Sequence, residues 1–462
     1  MALSQDPELP FFPSLSDLVI DADESLSSYL ELLLTPSLES LEVLSIPVAQ
    51  QPILLSFLTT LAQKVPPLQT LKFGPGRVPS SSFYIIPQFN NLRHLELKNK
   101  DLEIPSGFPD NIGSLSKLET LILDARDVSS IASKTQPNGM DQPTVPPTFE
   151  NVNALPPDSC PGSSSMDGDR NEDGAGNSDV LLSQACHTFT SLSTSGAFSQ
   201  LRKLHVIGRL PLLEDLISRI TSTTLEDVSV TLICLSDDEK RRKRMKSKSK
   251  AKDWDTKFLR MLCCRWTESL KTVSLCQLNL LKPTTLPQDI FLELLRLPAL
   301  EILEVKGWGL DSVETLFGVG LPVIPNLESL LLPLDEINSG ISLSALRDVA
   351  GTCPKLKSFQ CRIDSRSVIP EYTVPTTKIL SHGLRTLSVG NSSPYPDSKN
   401  LYLIARHLDL LFPHLEKITV SEEHNAKQWA VVDELVRMCQ TARMDERYRA
   451  SLNTGLSSPP LV

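Results

Sequence analysis

A six-residue phrase, Leu-x-x-φ-x-φ with φ apolar, recurs along this chain. It begins at Leu15, Leu38, Leu68, Leu92, Leu118, Leu201, Leu225, Leu270, Leu300, Leu327, Leu356, Leu384 and Leu415. A strand sends alternate side chains to opposite faces, so the fourth and sixth positions point together into a core. The third, fifth and seventh positions point the other way. The third is polar or charged in 12 of the 13 phrases, with Ile302 the exception. A parallel sheet buried on both faces shows continuous apolar runs instead, so this pattern predicts a sheet with one open face.

Between phrases the apolar spacing is helical. Leu401, Ile404, Leu408 and Leu411 fall on one helix face, as do Ile290, Leu294 and Leu297, and Leu212, Leu216 and Ile220. Most phrase starts lie 23 to 31 residues apart, close to the ~20–29 of a leucine-rich repeat. Right-handed strand–helix crossovers of this kind stack into a curved body. The expected fold is therefore an α/β leucine-rich-repeat solenoid, a horseshoe with parallel strands on the concave face and helices on the convex face.

Two gaps between starts are longer, 83 residues after Leu118 and 45 after Leu225. They divide the chain into N-terminal repeats (1–126), an insertion (127–200), further repeats (201–235), a basic loop (236–253) and C-terminal repeats (254–426). The insertion is rich in Pro, Ser, Asn, Gly and Asp, too polar to offset the entropy of ordering, and is expected to be disordered. Residues 427–449 are expected to form a capping helix, with Trp429, Val432, Val436 and Cys439 in one stripe and Arg443, Asp445, Glu446 and Arg447 facing water. Residues 450–462 read as a tail. Before Leu15 there is almost no room for an N-terminal cap.

Charge sharpens the picture in one place. The net charge is −10, yet Lys240–Lys252 carries nine basic residues and no acidic one. Without that run the balance is 36 basic against 55 acidic residues, a net −19. An acidic body with one basic loop argues against nucleic acid as partner, because phosphate contacts need positive charge spread along a face. Lys240, Arg241, Arg242, Lys243 and Arg244 read either as a nuclear-import signal or as a solvated loop. Nine cysteines without framework spacing fit reduced thiols, and hence a cytoplasmic or nuclear location. No apolar run spans a membrane, and the N-terminus lacks the pattern of a secretory signal.

Candidate chemistry is sparse. Gly74-Pro75-Gly76 is no phosphate loop, since no Lys-Ser/Thr follows it. Cys353 reads as a buried turn thiol, and His414 as a structural residue before its phrase. We expect no enzyme activity, cofactor or metal. The expected site is the concave strand face, and the expected ligand a protein. His94, Glu96, Lys98, Lys203, His205, Glu304, Lys306, Gln360 and Arg362 are the candidate contacts there.

Three stretches carry a family resemblance. They are Pro13-Ser14-Leu15-Ser16-Asp17-Leu18 with Tyr29–Leu38, the close from Trp429 through Leu435-Val436 to Arg447, and phrases such as Cys353-Pro354-Lys355-Leu356. Together they resemble the leucine-rich-repeat portion of mushroom-type (basidiomycete) fungal F-box proteins. The resemblance implies a substrate-recognition module of a cullin-RING ubiquitin ligase, in which an F-box docks on the ligase adaptor. No Leu-Pro-x-Glu module precedes Leu15, so no F-box residue is carried over, and the adaptor is an expected partner only with an F-box upstream. The alternatives are a repeat-only scaffold without ubiquitin chemistry, or an activator resembling the leucine-rich GTPase-activating proteins of the Ran GTPase. The latter family ends in a long acidic tail that Asn453–Pro460 does not match.

Overall fold

A computed structural model of the chain describes residues 12–21, 30–45, 50–65, 67–74, 78, 81–98, 104–105, 107–126, 197–233, 254–278, 284–310, 317, 323–334, 340–364, 382–390, 398–420 and 423–455. The chain divides into two units, residues 1–129 with 193–462, and residues 130–192. The second unit lies outside the described residues, as does the basic loop with Lys240–Arg244.

Every phrase becomes a strand. The thirteen are β1 (Asp17–Asp21), β2 (Ser40–Ser45), β3 (Thr70–Phe73), β4 (His94–Lys98), β5 (Thr120–Asp124), β6 (Lys203–Gly208), β7 (Asp227–Ile233), β8 (Thr272–Leu278), β9 (Ile302–Lys306), β10 (Ser329–Leu331), β11 (Ser358–Cys361), β12 (Thr386–Val389) and β13 (Lys417–Val420). They form one parallel sheet in chain order, the architecture of a leucine-rich-repeat solenoid. Neighbours pair position for position, as in Leu71 against Leu95 and Leu95 against Leu121. The backbone shows why the register holds. In all twelve steps the carbonyl of the second phrase position accepts two N–H groups of the next phrase. Arg93 O accepts Glu119 N at 2.8 Å and Thr120 N at 2.9 Å, for example.

The first, fourth and sixth positions build the core. In the phrase that forms β6, Leu201, Leu204 and Val206 are buried, and so are their counterparts through the interior of the sheet. The ends differ, because an end repeat has a neighbour on one side alone. Leu15 and Leu18 at the first strand and Val420 at the last are only partly buried.

The crossovers carry α1 (Gln51–Lys64), α2 (Ser82–Ile85), α3 (Phe108–Gly113), α4 (Leu210–Arg219), α5 (Trp254–Arg265), α6 (Gln288–Leu295), α7 (Ala345–Thr352) and α8 (Ser398–Leu411). Not every crossover is a full helix, as the spacing had suggested. The β1–β2 connection holds a 3-10 turn, Leu30–Leu33, and α2 gives way to another, Ile86–Gln88. Pro87 removes an amide donor there, which a longer helix would need.

Both long gaps leave the sheet unbroken. β5 pairs with β6 and β7 with β8 in register. The first unit resumes inside the stretch read as insertion, at Ser193, and its described residues resume at Ala197. Phe198, at φ 55°, is fully buried, and its N–H bonds Gly113 O at 3.2 Å. Gly113 must be glycine, because a Cβ there would lie 2.8 Å from that of Ala197.

The last helix, α9 (Glu423–Gly455), begins before Lys427 and continues into the stretch read as tail. It buries Trp429, Val432 and Val436. It also meets the free edge of β13 with side chains. Asp433 Oδ1 accepts the Ile418 N–H at 3.0 Å, and Gln440 Nε2 donates to Leu415 O at 2.9 Å. Arg443 does not face water as expected. It bridges to Asp409 and donates to Pro413 O at 2.8 Å, with only 12% of its side chain exposed.

Candidate partner-binding face

In-register pairing turns the third, fifth and seventh positions into three rows that cross the sheet on its open side. Row three holds His94 and Lys203, row five Glu96, His205, Glu304 and Gln360, and row seven Lys98 and Lys306. Eight of the nine candidates thus lie on one face, Arg362 directly follows the end of β11, and all nine are at least partly exposed. They do not form one cluster. β7 and β8 separate a group on β4 and β6 from a group on β9 and β11. Strands are spaced ~4.8 Å apart, so the two outermost strands stand ~34 Å apart across seven steps.

Several charges on this face are paired within the chain. Glu96 takes Lys98 on one side and His94, at 3.4 Å, on the other. Partial burial pushes its carboxyl up, but the hydrogen bonds from Lys98 and His94 outweigh that and hold it below the ordinary range. Glu304 repeats the arrangement. Burial raises it, whereas Lys306 and the Ser274 hydroxyl, donating at 2.6 Å, bring it below the usual value. Gln360 Nε2 donates to Leu332 O at 3.1 Å.

Several residues of the face were not singled out by sequence. Asp227 sits in row three beside Lys203. Burial raises its carboxyl, opposed by the charges of Lys203 and His205. Lys72 reaches Glu42 at 3.9 Å, and Arg126 reaches Asp124 at 3.1 Å. From β10 to β12 rows three and five change character, to Ser329, Leu331, Ser358, Gln360, Thr386 and Ser388, with no charge at all. Exposed Ile302 borders that stretch. Knowing that these positions are adjacent requires the register, which a single phrase does not carry.

Three cysteines among the described residues have strongly shifted thiols. Cys353 and Cys263 are buried thiols pushed up to about 12 by burial, and burial raises Cys361 further. All three stay protonated at neutral pH, so none is a ready nucleophile. Among the described residues no three His, Cys, Asp or Glu side chains are placed to hold a metal ion. No described helix is long and apolar enough to cross a membrane. His414, read as structural, is exposed and lines a shallow hollow with Arg385, Glu416 and Arg437.

No family model and no curated protein sequence matches the chain. Among solved structures it is similar to an internalin (InlF) from Listeria monocytogenes, at 14% identity and a TM-score of 0.39. That match covers 91% of this chain and 85% of the internalin. A second is the structure of the Toll–Spatzle complex from Drosophila, at 11% identity and a TM-score of 0.29. It covers 86% of this chain, which spans about half (49%) of the matched chain.

Proposed function

We propose that this chain is a protein-binding module whose site is the open, concave strand face, and that it serves as the substrate-recognition repeats of an F-box-type ubiquitin ligase receptor. The observation that carries the binding reading is the in-register face itself. Three rows of partly exposed polar side chains cross one rigid sheet, many held in position by their neighbours. A partner that binds there meets side chains already ordered, which lowers the entropy lost on association. The ligase reading rests on the family resemblance in the phrases and at the two ends.

Two measurements separate the parts. Proximity labelling with the full chain in cells identifies its partners, and replacement of His94, Glu96, His205 and Glu304 by alanine is expected to lose the specific ones. Partners retained by that variant at unchanged affinity refute the strand-face site. Recovery of a cullin-RING adaptor through the natural full-length transcript supports the ligase role. Specific partners recovered with no adaptor among them leave a scaffold.

A further inference from the structure

Large apolar side chains that remain exposed gather on one element. Of thirteen such residues among those described, five lie on α9: Val431, Met438, Met444, Tyr448 and Leu452. The helix leaves the core after Arg443, and its residues from Met444 to Leu452 are all exposed. Met444, Tyr448 and Leu452 recur every four residues, so they share one face. They are 61%, 67% and 51% exposed. An isolated helix end of three turns gains little from propensity alone, and an exposed apolar stripe on it marks an interaction surface.

We infer that this stripe pairs with a second copy of the chain, the two α9 ends lying antiparallel. The flanking charges favour that occupant. Asp445 and Arg449 follow Met444 and Tyr448 by one residue each, so both stand on the same flank of the stripe. Opposite charges four apart on a helix commonly pair within it, yet neither residue forms an ion pair among those described. A two-fold axis between them sets each Asp445 against Arg449 of the other copy, making two ion pairs beside the apolar seam. Arg447 stands on the other flank, where its charge is felt by Asp409 of the same chain. The interface is self-complementary, as a two-fold contact requires. Three helical turns fall at the small end of interface sizes, so the pairing is weak and concentration-dependent.

Sedimentation equilibrium on the full chain tests this directly. Wild type is expected to shift from one to two copies as concentration rises. Tyr448→Glu should weaken that shift at least tenfold without altering the circular dichroism or melting point. Asp445→Arg and Arg449→Asp should each weaken it as well, because each places like charges across the axis. An equimolar mixture of those two variants should restore association, now as a heterodimer. A wild-type chain that stays monomeric across the whole concentration range overturns the inference. So does a dimer indifferent to Tyr448→Glu, or a mixture that associates no better than its components.

Discussion

A leucine at the first or fourth phrase position is worth what its neighbours on both sides make of it. Leu204 is buried between β5 and β7, and Leu204→Ala should cost about 2–5 kcal/mol from lost burial and the cavity left behind. Leu18 has the same sequence role but stands on an end strand, so Leu18→Ala should cost clearly less by urea unfolding. The same dependence on surroundings governs two histidines. His382 donates from Nε2 to Cys353 O at 2.8 Å and accepts the Leu384 N–H on Nδ1 at 3.1 Å, which requires the neutral ring. His407 is buried and donates to Leu343 O at 2.6 Å, and burial lowers its pKa to about 4. Above the ordinary value near 6.5 folded and unfolded chains are both neutral there, and the group makes no difference. As pH falls from about 6.5 to 4 the unfolded chain binds a proton that the folded chain refuses, and stability drops by up to about 3 kcal/mol. Urea midpoints measured across that range should fall, and His407→Gln, which keeps a donor but does not titrate, should flatten the decline.

At the scale of elements, the strands were legible in the chain and their partners were not. Alternation fixes which side chains go inward, because positions two apart share a face whatever lies beside them. The second phrase position shows what alternation misses. Arg93 bridges Glu119 at 2.7 Å, Lys271 reaches Glu226 at 3.1 Å, and Lys357 reaches Glu328 at 2.7 Å. These are rungs of a charge ladder along one margin of the sheet, visible only once the register joins residues 26 to 45 apart. Alternation also misses the pair of Arg443 with Asp409, which lies far away in sequence. Arg265 is a further case. Its guanidinium donates to the carbonyls of Ile217, Ser218 and Ile220, closing the C-terminal end of α4 from the neighbouring repeat. The element that ends the sheet is the most testable. Asp433→Ala removes the acceptor of the Ile418 N–H, at a cost of about 1–2 kcal/mol. In a solenoid such a loss stays local. Amide exchange should therefore quicken in β13 and leave β4 unchanged; uniform quickening would show that α9 stabilises the whole sheet cooperatively.

The whole molecule raises one question that its parts do not, namely what a sheet tolerates between its strands. β5 and β6 pair as closely as any neighbours, Thr120 against Lys203 and Leu123 against Val206, although 83 residues separate the starts of their phrases. The contacts that close this step come from its two ends. Phe198 is buried against Gly113, Ser199 Oγ donates to Ser116 O at 3.4 Å, and the Ala125 N–H bonds Ile207 O at 2.7 Å. These contacts all lie within the first unit, and residues 130–192 form a unit of their own. A long connection costs entropy on closure, and the cost grows only as the logarithm of its length. Deleting residues 130–192 shortens the connection roughly fivefold and should leave the sheet intact while raising stability by about 1–2 kcal/mol. Thermal and urea unfolding of the deletion variant read this directly. A melting point well below that of the intact chain would show that the second unit packs on the repeats and helps to hold them.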